Sequence, residues 1–520
     1  MFRLALRGAL GAGFMAAAMA SASAQVLEIG ADQGPTGLDP HLITAFPSVM
    51  VVNGNIYEGL THVDKDLKVN PGLAESWTVA PDGKTYTFKL RANVKFHDGS
   101  AMEAEDVVSS IKRVQSKDIA SPLASRLSAV ESANAVDPQT VELKLKEPSA
   151  ALLSSLATIA IVPSAMEANK DALQKTPVGT GPFKFQEWQP NGYILLARNE
   201  AYWEKGLPKL AGLKFNIVPE SATRQVGLSN GQYALLPNID AATALQLKGK
   251  PNVKLAETLD LAYTLIGMNV SKPPFDNAKV REALNYAINR KEIVDAALFG
   301  AGVPGGPLSP ALKSWALDTK EFACYSHDPA KAQALLKEAG VATPVAVTMN
   351  VLPRQDIKDI AQVVQEQLGK AGFKVELKNQ EQGQFIQDWR NSNFDLFASI
   401  NAGNPDPDEY FYRTFRTGGS TNVFKYTDQE IDGLLDQART TQDQAARKTA
   451  YDKVQKKLAC SGPVAHLTYG TLFSAMRDKV QGYEVMPNRS LSTLRGASFS
   501  ADITAPTPLA ASEFSVKRSL

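Results

Sequence analysis

The stretch "NIYEGLTHVDKDLKVNPGLAESWTVAPDGKTYTFKLRANVKFHDGSAMEAEDVVSSIKRV", residues 55–114, is the part of the chain on which the reading of the fold turns. Within it, "DGKTYTFKLR" is a hairpin: Asp82 and Gly83 supply the turn, and the residues after them alternate as a half-buried strand does. Outward from this hairpin, short Val/Ile/Phe/Tyr-rich runs alternate with longer helical patterns. Strands are predicted at 26–30, 86–90, 140–145, 213–218, 345–351, 374–378 and 394–400. Strands spread in this way among helices predict an α/β fold rather than an all-β sandwich.

Helix signals are clearest in the C-terminal half. "DNAKVREALNYAINRKEIVDAALFG", residues 276–300, reads as one helix capped by Asp276, with Val280, Leu284, Ala287, Ile288, Ile293 and Ala297 on its apolar face and Gly300 as its stop. "HDPAKAQALLKEAG" offers Asp328 as cap, Pro329 at the first helical position and Gly340 at the end. "IKDIAQVVQEQLGKAGFKVEL" reads as helix, glycine turn and strand. Pro/Gly punctuation at 176–183 and 271–277 predicts crossovers between lobes, and that at 300–310 a surface loop.

The first 24 residues predict a secretory leader: Arg3 and Arg7, an apolar run, then Ala22, Ser23 and Ala24 ahead of Gln25. The apolar run is shorter than the roughly 20 residues a spanning helix needs, and no cysteine adjoins the cleavage site for lipid attachment. A soluble periplasmic protein is expected. Cleavage leaves 496 of 520 residues, more than one hydrophobic core of about 250–300 residues accommodates, so two or three lobes are expected. The mature chain is nearly neutral, with 53 Lys and Arg against 54 Asp and Glu, and has no basic tract suited to nucleic acid. The cysteines, Cys324 and Cys460, read as a disulfide in an oxidising compartment, with two buried thiols as the other reading.

No nucleophile elbow, His-Glu-x-x-His, phosphate-binding glycine loop or EF-hand is present, which argues against an enzyme. The five histidines, His41, His62, His97, His327 and His466, show no metal-ligand spacing, although distant ones can meet in a fold. "NAGNPDPDEYF", residues 401–411, concentrates Asp406, Asp408 and Glu409. Adjacent acids after prolines suit helix capping better than a glycosidase pair, whose carboxylates flank the sugar from separate elements.

Several segments together resemble the extracytoplasmic solute-binding proteins of the peptide/nickel/opine class: "GLAESW", "DGKTYTF", "LR" and "VKFHDG" before the "AEDVV" helix, "VGTGPFKFQEWQPNGYILLARNEAYW" at 178–203, "VREALNYAINRKEIV", and "LGKAGFKVEL". The resemblance runs from about residue 26 to about 485. It implies a three-domain clamshell: lobe I from 25–61, 175–270 and 477–520, an accessory domain from 62–174, and lobe II from 271–476. Ligand would be captured between closing lobes and passed to the permease subunits of an ATP-driven importer.

The same resemblance nominates site residues. In peptide-carrying relatives, the segment matching "SINAGNPDPDEY" places an aspartate against the peptide ammonium; here Asn404 takes that place, and Asn401 a place that is often aromatic. The arginine that holds a peptide carboxylate is matched nearest by Arg354, which either reaches the cleft or points to solvent. The common cleft tryptophan is matched by Gln382, with Trp389 later as core, cleft wall or both. Thr44, Ala45, Phe46, Tyr263 and Asn488, followed by Arg489, complete the candidates. These departures favour a pocket rich in amides. The expected function is a monomeric periplasmic receptor for a small peptide or a peptide-like or sugar-derived solute, without cofactor or catalysis. A nickel-chelate or haem carrier and a hydrolase using the 406–409 acids are the alternatives.

Overall fold

The computed structural model describes residues 25–500. The predicted leader and the end of the 477–520 segment lie outside them.

The opening hairpin forms as read. Ala74–Val79 and Thr85–Leu90 pair antiparallel around a turn in which Gly83 takes φ 69° and Asp82 Oδ1 accepts from Lys84 N at 2.9 Å. Tyr86, Phe88 and Leu90 alternate inward. Thr140–Leu145 and Val130–Asp137 extend this into a four-stranded sheet. The helix Ala104–Gln115 lies over it, opened by reciprocal capping between Glu103 and Asp106. Its apolar residues join those of the sheet in a core of their own, drawn from residues 60 to 161.

The rest of the chain shares one eleven-stranded mixed sheet. At its centre Val253–Met268 and Val464–Arg477 run antiparallel over nearly their whole length, from Val253 opposite Arg477 to Gly267 opposite Val464. Their register slips between Leu259 and Tyr263. On one side of the slip, Val464–Arg477 pairs with Leu235–Ile239, and the sheet continues through Val26–Ala31 and Gly212–Ile217. On the other side, Val253–Met268 pairs with Leu396–Asn401, followed by parallel Val345–Val351 and Phe373–Asn379, which the helix Gln355–Lys370 connects. Separate hydrophobic cores flank the slip, one built on Leu27, Phe183 and Phe215, the other on Ile266, Met349 and Val364. The molecule is therefore an α/β clamshell whose two lobes share a pair of strands and carry an accessory sheet.

Two local readings differ from the structure. The helix expected at 276–300 is two helices, Ala278–Ala287 and Arg290–Ala297. Asn277, not Asp276, caps the first by accepting from Lys279 N, and Asn289 caps the second by accepting from Glu292 N at 3.1 Å. Ile288 between them is extended, because a side-chain cap at Asn289 competes with continuation of the helix. The chain also passes between cores within the long strands, earlier than the Pro-rich 271–277 segment, where Phe275 is already buried in the second lobe. By contrast Asp328 caps the helix Pro329–Glu338 as its sequence indicates, accepting from Lys331 N at 2.8 Å.

Cys324 and Cys460 are joined in a disulfide across 136 residues of sequence. Closing so long a loop removes entropy from the unfolded chain, a contribution on the order of 3–5 kcal/mol. Reduction under native conditions should lower the thermal midpoint, and Cys324→Ser/Cys460→Ser should reproduce the loss without reductant. An unchanged midpoint in both would show that the bond adds nothing to stability.

Candidate functional site

A cavity of about 690 Å³ opens where three parts of the chain meet. Residues of the first lobe contribute Phe46 and Asn488, the accessory sheet's surroundings contribute Asp66 and Arg126, and the second lobe contributes Asn404 and Glu409. The loop carrying Asn404 packs tightly on the crossing strand: a Cβ on Gly403 would lie 2.0 Å from the carbonyl oxygen of Leu261, so this position tolerates only glycine.

Of the residues nominated from sequence, Thr44, Phe46, Asn404 and Asn488 border the cavity. Ala45 precedes the helix Phe46–Val52 and is exposed. Tyr263 and Asn401 touch each other, Asn401 Nδ2 donating to the Tyr263 hydroxyl at 3.1 Å, but Tyr263 is buried among Tyr410, His466 and Tyr469 rather than on the cavity surface. Arg354 is not brought to the cavity. It precedes the helix Gln355–Lys370 and forks onto Asp356 at 2.7 Å, so its partner is a near neighbour in sequence. Gln382 begins the helix Gln382–Arg390 in an exposed position, and Trp389 packs against the aromatic core of the second lobe.

Arg489, noted beside Asn488, proves more embedded than its neighbour. Its backbone is left-handed at φ 61°, its guanidinium donates to Asp260 from Nε at 3.2 Å, and it lies 5.3 Å over the Phe46 ring. Asp260 belongs to the strand segment where the register slips. Glu58 borders the cavity too, where burial pushes its carboxyl upward although Tyr202, Trp203 and Thr180 all donate to it, at 2.6, 3.0 and 2.9 Å. Neither role was legible locally, because every partner named is distant in sequence.

The acid cluster divides by direction. Asp406 caps the helix Pro407–Phe415, accepting from Asp408 N at 2.9 Å, and receives both Nη atoms of Arg447 at 2.6 and 3.0 Å. Asp408 turns inward, its side chain 1% exposed, and accepts from Arg439 Nε at 3.2 Å. Only Glu409 borders the cavity. Asp406 and Asp408 are held by arginines away from the cavity, so of the acids the hydrolase alternative requires, only Glu409 remains in reach of a ligand. Two of the histidines are likewise engaged: His41 bonds the carbonyl of Ala160 at 2.8 Å, His466 bonds the Tyr410 hydroxyl at 2.6 Å, and burial holds their pKa values at about 4 and about 3. Among the described residues, no three His, Cys, Asp or Glu side chains converge as a metal site.

These ion pairs make two predictions. Arg447→Met leaves Asp406 buried without its cation and should lower the unfolding free energy by about 3–5 kcal/mol, measured by urea denaturation. At Asp408, burial outweighs the attraction of Arg439 and raises the pKa from 3.8 to about 6. A raised carboxyl pKa means that the folded state holds the proton more tightly. The stabilisation is complete below the unfolded value and is lost as pH rises through about 6. Relative to Asp408→Asn, the wild-type protein should therefore lose on the order of 2–3 kcal/mol between pH 4 and pH 7. The opposite slope would show that the Arg439 pair dominates.

Residues 68–422 match the family model for the bacterial extracellular solute-binding proteins, family 5. The glutathione-binding protein GsiB of Pectobacterium atrosepticum is 31% identical over 472 residues, covering 88% of this chain and 91% of that protein. HbpA2 from Haemophilus parasuis superposes with a TM-score of 0.83 at 26% identity, over 92% of this chain and 100% of that one. The periplasmic binding protein DppA from Helicobacter pylori, solved in complex with the peptide STSA, gives 0.74 at 27% identity over 91% and 98%. Its sheet, its interlobe cavity and these matches agree: the chain belongs to the family 5 extracellular solute-binding proteins and serves an ATP-driven importer as its substrate-binding subunit.

Proposed function

We propose that the chain is a periplasmic receptor, freed by cleavage of its leader, that closes as a monomer on a small peptide or peptide-like solute and presents it to the importer's permease subunits. The cavity carries this reading. Its volume of about 690 Å³ falls within the roughly 300–1,000 Å³ of pockets that enclose small ligands, and each lobe and the accessory domain contribute to its wall. The relatives support the ligand class: one is named for glutathione and one holds a tetrapeptide-like sequence, STSA. Of the histidines only His62 borders the cavity, which offers a metal chelate one imidazole.

The proposed division is 25–61, 175–270 and 477–520 for one lobe, 62–174 for the accessory domain and 271–476 for the other. The separate cores support it in outline, but the crossings fall inside the long strands around Asp260, since Ile266 and Met268 already belong to the second lobe's core and Leu472 and Met476 to the first's. In this conformation polar contacts bridge the accessory domain and the second lobe: Lys313 to Asp66 at 3.0 Å, Gln442 to the Tyr86 hydroxyl at 2.6 Å and Ser155 to Glu409 at 3.0 Å. The ion pair among them is exposed and weak and the other two are single neutral-donor hydrogen bonds, so they can part when the clamshell opens and leave the ligand to set the balance.

Thermal unfolding of refolded, ligand-stripped protein against glutathione and a pool of di- to pentapeptides tests the function. A ligand at about 100 times its dissociation constant stabilises the folded state by roughly 2.7 kcal/mol, so a reproducible rise of the midpoint is expected. A folded protein whose midpoint moves with none of them would overturn the peptide-like reading.

A further inference from the structure

The cavity's charged groups are mostly spoken for. Lys65 pairs with Glu484 at 2.8 Å, Asp66 with Lys313 at 3.0 Å, Arg495 with Glu204 at 3.4 Å and Arg489 with Asp260. Two stand apart. Arg126, in the short turn Ala124–Leu127 of the accessory domain, has no hydrogen-bond or ion-pair partner for its guanidinium among the described residues. Glu409, on the second lobe, has one neutral partner, the Ser155 hydroxyl at 3.0 Å. Each bears electrostatically on the other, yet no ion pair joins them. They are opposite charges facing one cavity with a gap between them.

Glu409 is half-buried, and burial works against its charge, whereas Arg126 is exposed with its guanidinium unengaged among the described residues. A desolvated charge without a counter-ion is unfavourable, so a ligand that brings the missing partners recovers that cost on binding. Asn404, on the same wall, is a neutral acceptor and offers an ammonium only an uncharged hydrogen bond. Glu409, five residues on, puts a carboxylate on the same cavity wall from the following helix.

We propose that Arg126 and Glu409 together hold a zwitterionic amino-acid head on the ligand, Arg126 taking its α-carboxylate and Glu409 its α-ammonium. The assignment rests on the peptide-like reading and narrows it. An α-linked peptide separates its free ammonium and carboxylate by its own length, whereas a peptide joined through the side chain of its first residue keeps both on one carbon. The pair therefore selects side-chain-linked peptides, the γ-glutamyl type, over their α-linked isomers.

Calorimetric titration of wild type, Glu409→Gln and Arg126→Gln with glutathione, N-acetyl-glutathione and the α-linked Glu-Cys-Gly isomer tests this, with thermal midpoints confirming that the variants fold. Wild type should prefer glutathione to both analogues, and each substitution should weaken glutathione binding about 30-fold or more. Acetylating the ammonium should cost wild type affinity and cost Glu409→Gln almost none, because the group it would lose is already gone. If Glu409 only ties the lobes together through Ser155, its substitution weakens glutathione and the acetylated form equally, and that result overturns the assignment while the receptor function stands. Wild-type protein that binds none of the three probes, nor any of the di- to pentapeptides, overturns the receptor reading and the assignment together.

Discussion

Everything in this molecule hangs on one ladder of backbone hydrogen bonds, that between Val253–Met268 and Val464–Arg477. A ladder running unbroken from lobe to lobe would fuse them into a single stiff sheet. The slip between Leu259 and Tyr263 breaks it at the boundary, and the freed groups find other partners. Leu261 N donates to the carbonyl of Pro487 at 3.3 Å, Ala262 N to Asp260 Oδ1 at 3.0 Å, and the Ser309 hydroxyl to the Asp260 carbonyl at 2.9 Å. No backbone group needs to be left unsatisfied for the strand to bend there. Because Arg489 binds Asp260 and also lies over Phe46, the same irregular segment reaches the cavity wall, so the wall and the slip in the strands are physically linked.

The accessory domain is tied down by a different kind of contact. Arg113, on its helix Ala104–Gln115, is wholly buried and forks onto Asp39 of the first lobe at 2.6 and 3.1 Å, while Met166 and Asn169 carbonyls accept its remaining donors at 2.9 Å. His41 sits against the same guanidinium at 3.0 Å and is kept neutral by burial. A buried charge so fully satisfied fixes orientation more than it adds stability. Its consequence is asymmetry: one edge of the accessory domain is locked to the first lobe by a wholly buried ion pair, and the other meets the second lobe through scattered, less buried polar contacts. The domain therefore follows the first lobe, and the cavity's accessory wall moves with it.

This division of labour explains what the sequence could show. The hairpin at Asp82–Gly83, the cap and proline at Asp328–Pro329, and the helix, turn and strand from Gln355 to Asn379 each carry their signal within a few residues, and each forms as read. The break at Ile288 was also local, but periodicity concealed it: the apolar positions keep helical spacing across the break, and only the capping chemistry of Asn289 marks it. Cavity residues are a different matter, since their neighbours come from segments hundreds of positions apart. Alignment by resemblance placed Thr44, Phe46, Asn404 and Asn488 on the wall, where backbone course is shared within the family. It left Arg354 open between cleft and solvent, and the side chain finds Asp356 two residues along instead of the cavity; it gave no sign of Arg126. Side-chain pairing outside regular elements has no periodicity to read.

The loop at 401–411 shows how one short sequence can hold all of these constraints at once. Gly403 is there because the strand Val253–Met268 passes too close for a side chain. Asp406 and Pro407 start the helix, one by accepting its first amide and the other by having no amide to satisfy. Successive helical residues then turn about 100° each, so Asp408 and Glu409, adjacent in sequence, leave in different directions. Asp408 goes into the second lobe to Arg439, and Glu409 goes out to the cavity and Ser155. Read as a string, the three acids look like a catalytic cluster. In three dimensions they are a cap, an internal ion pair and a ligand-facing charge, and the twist of one helical turn is what separates structure from recognition.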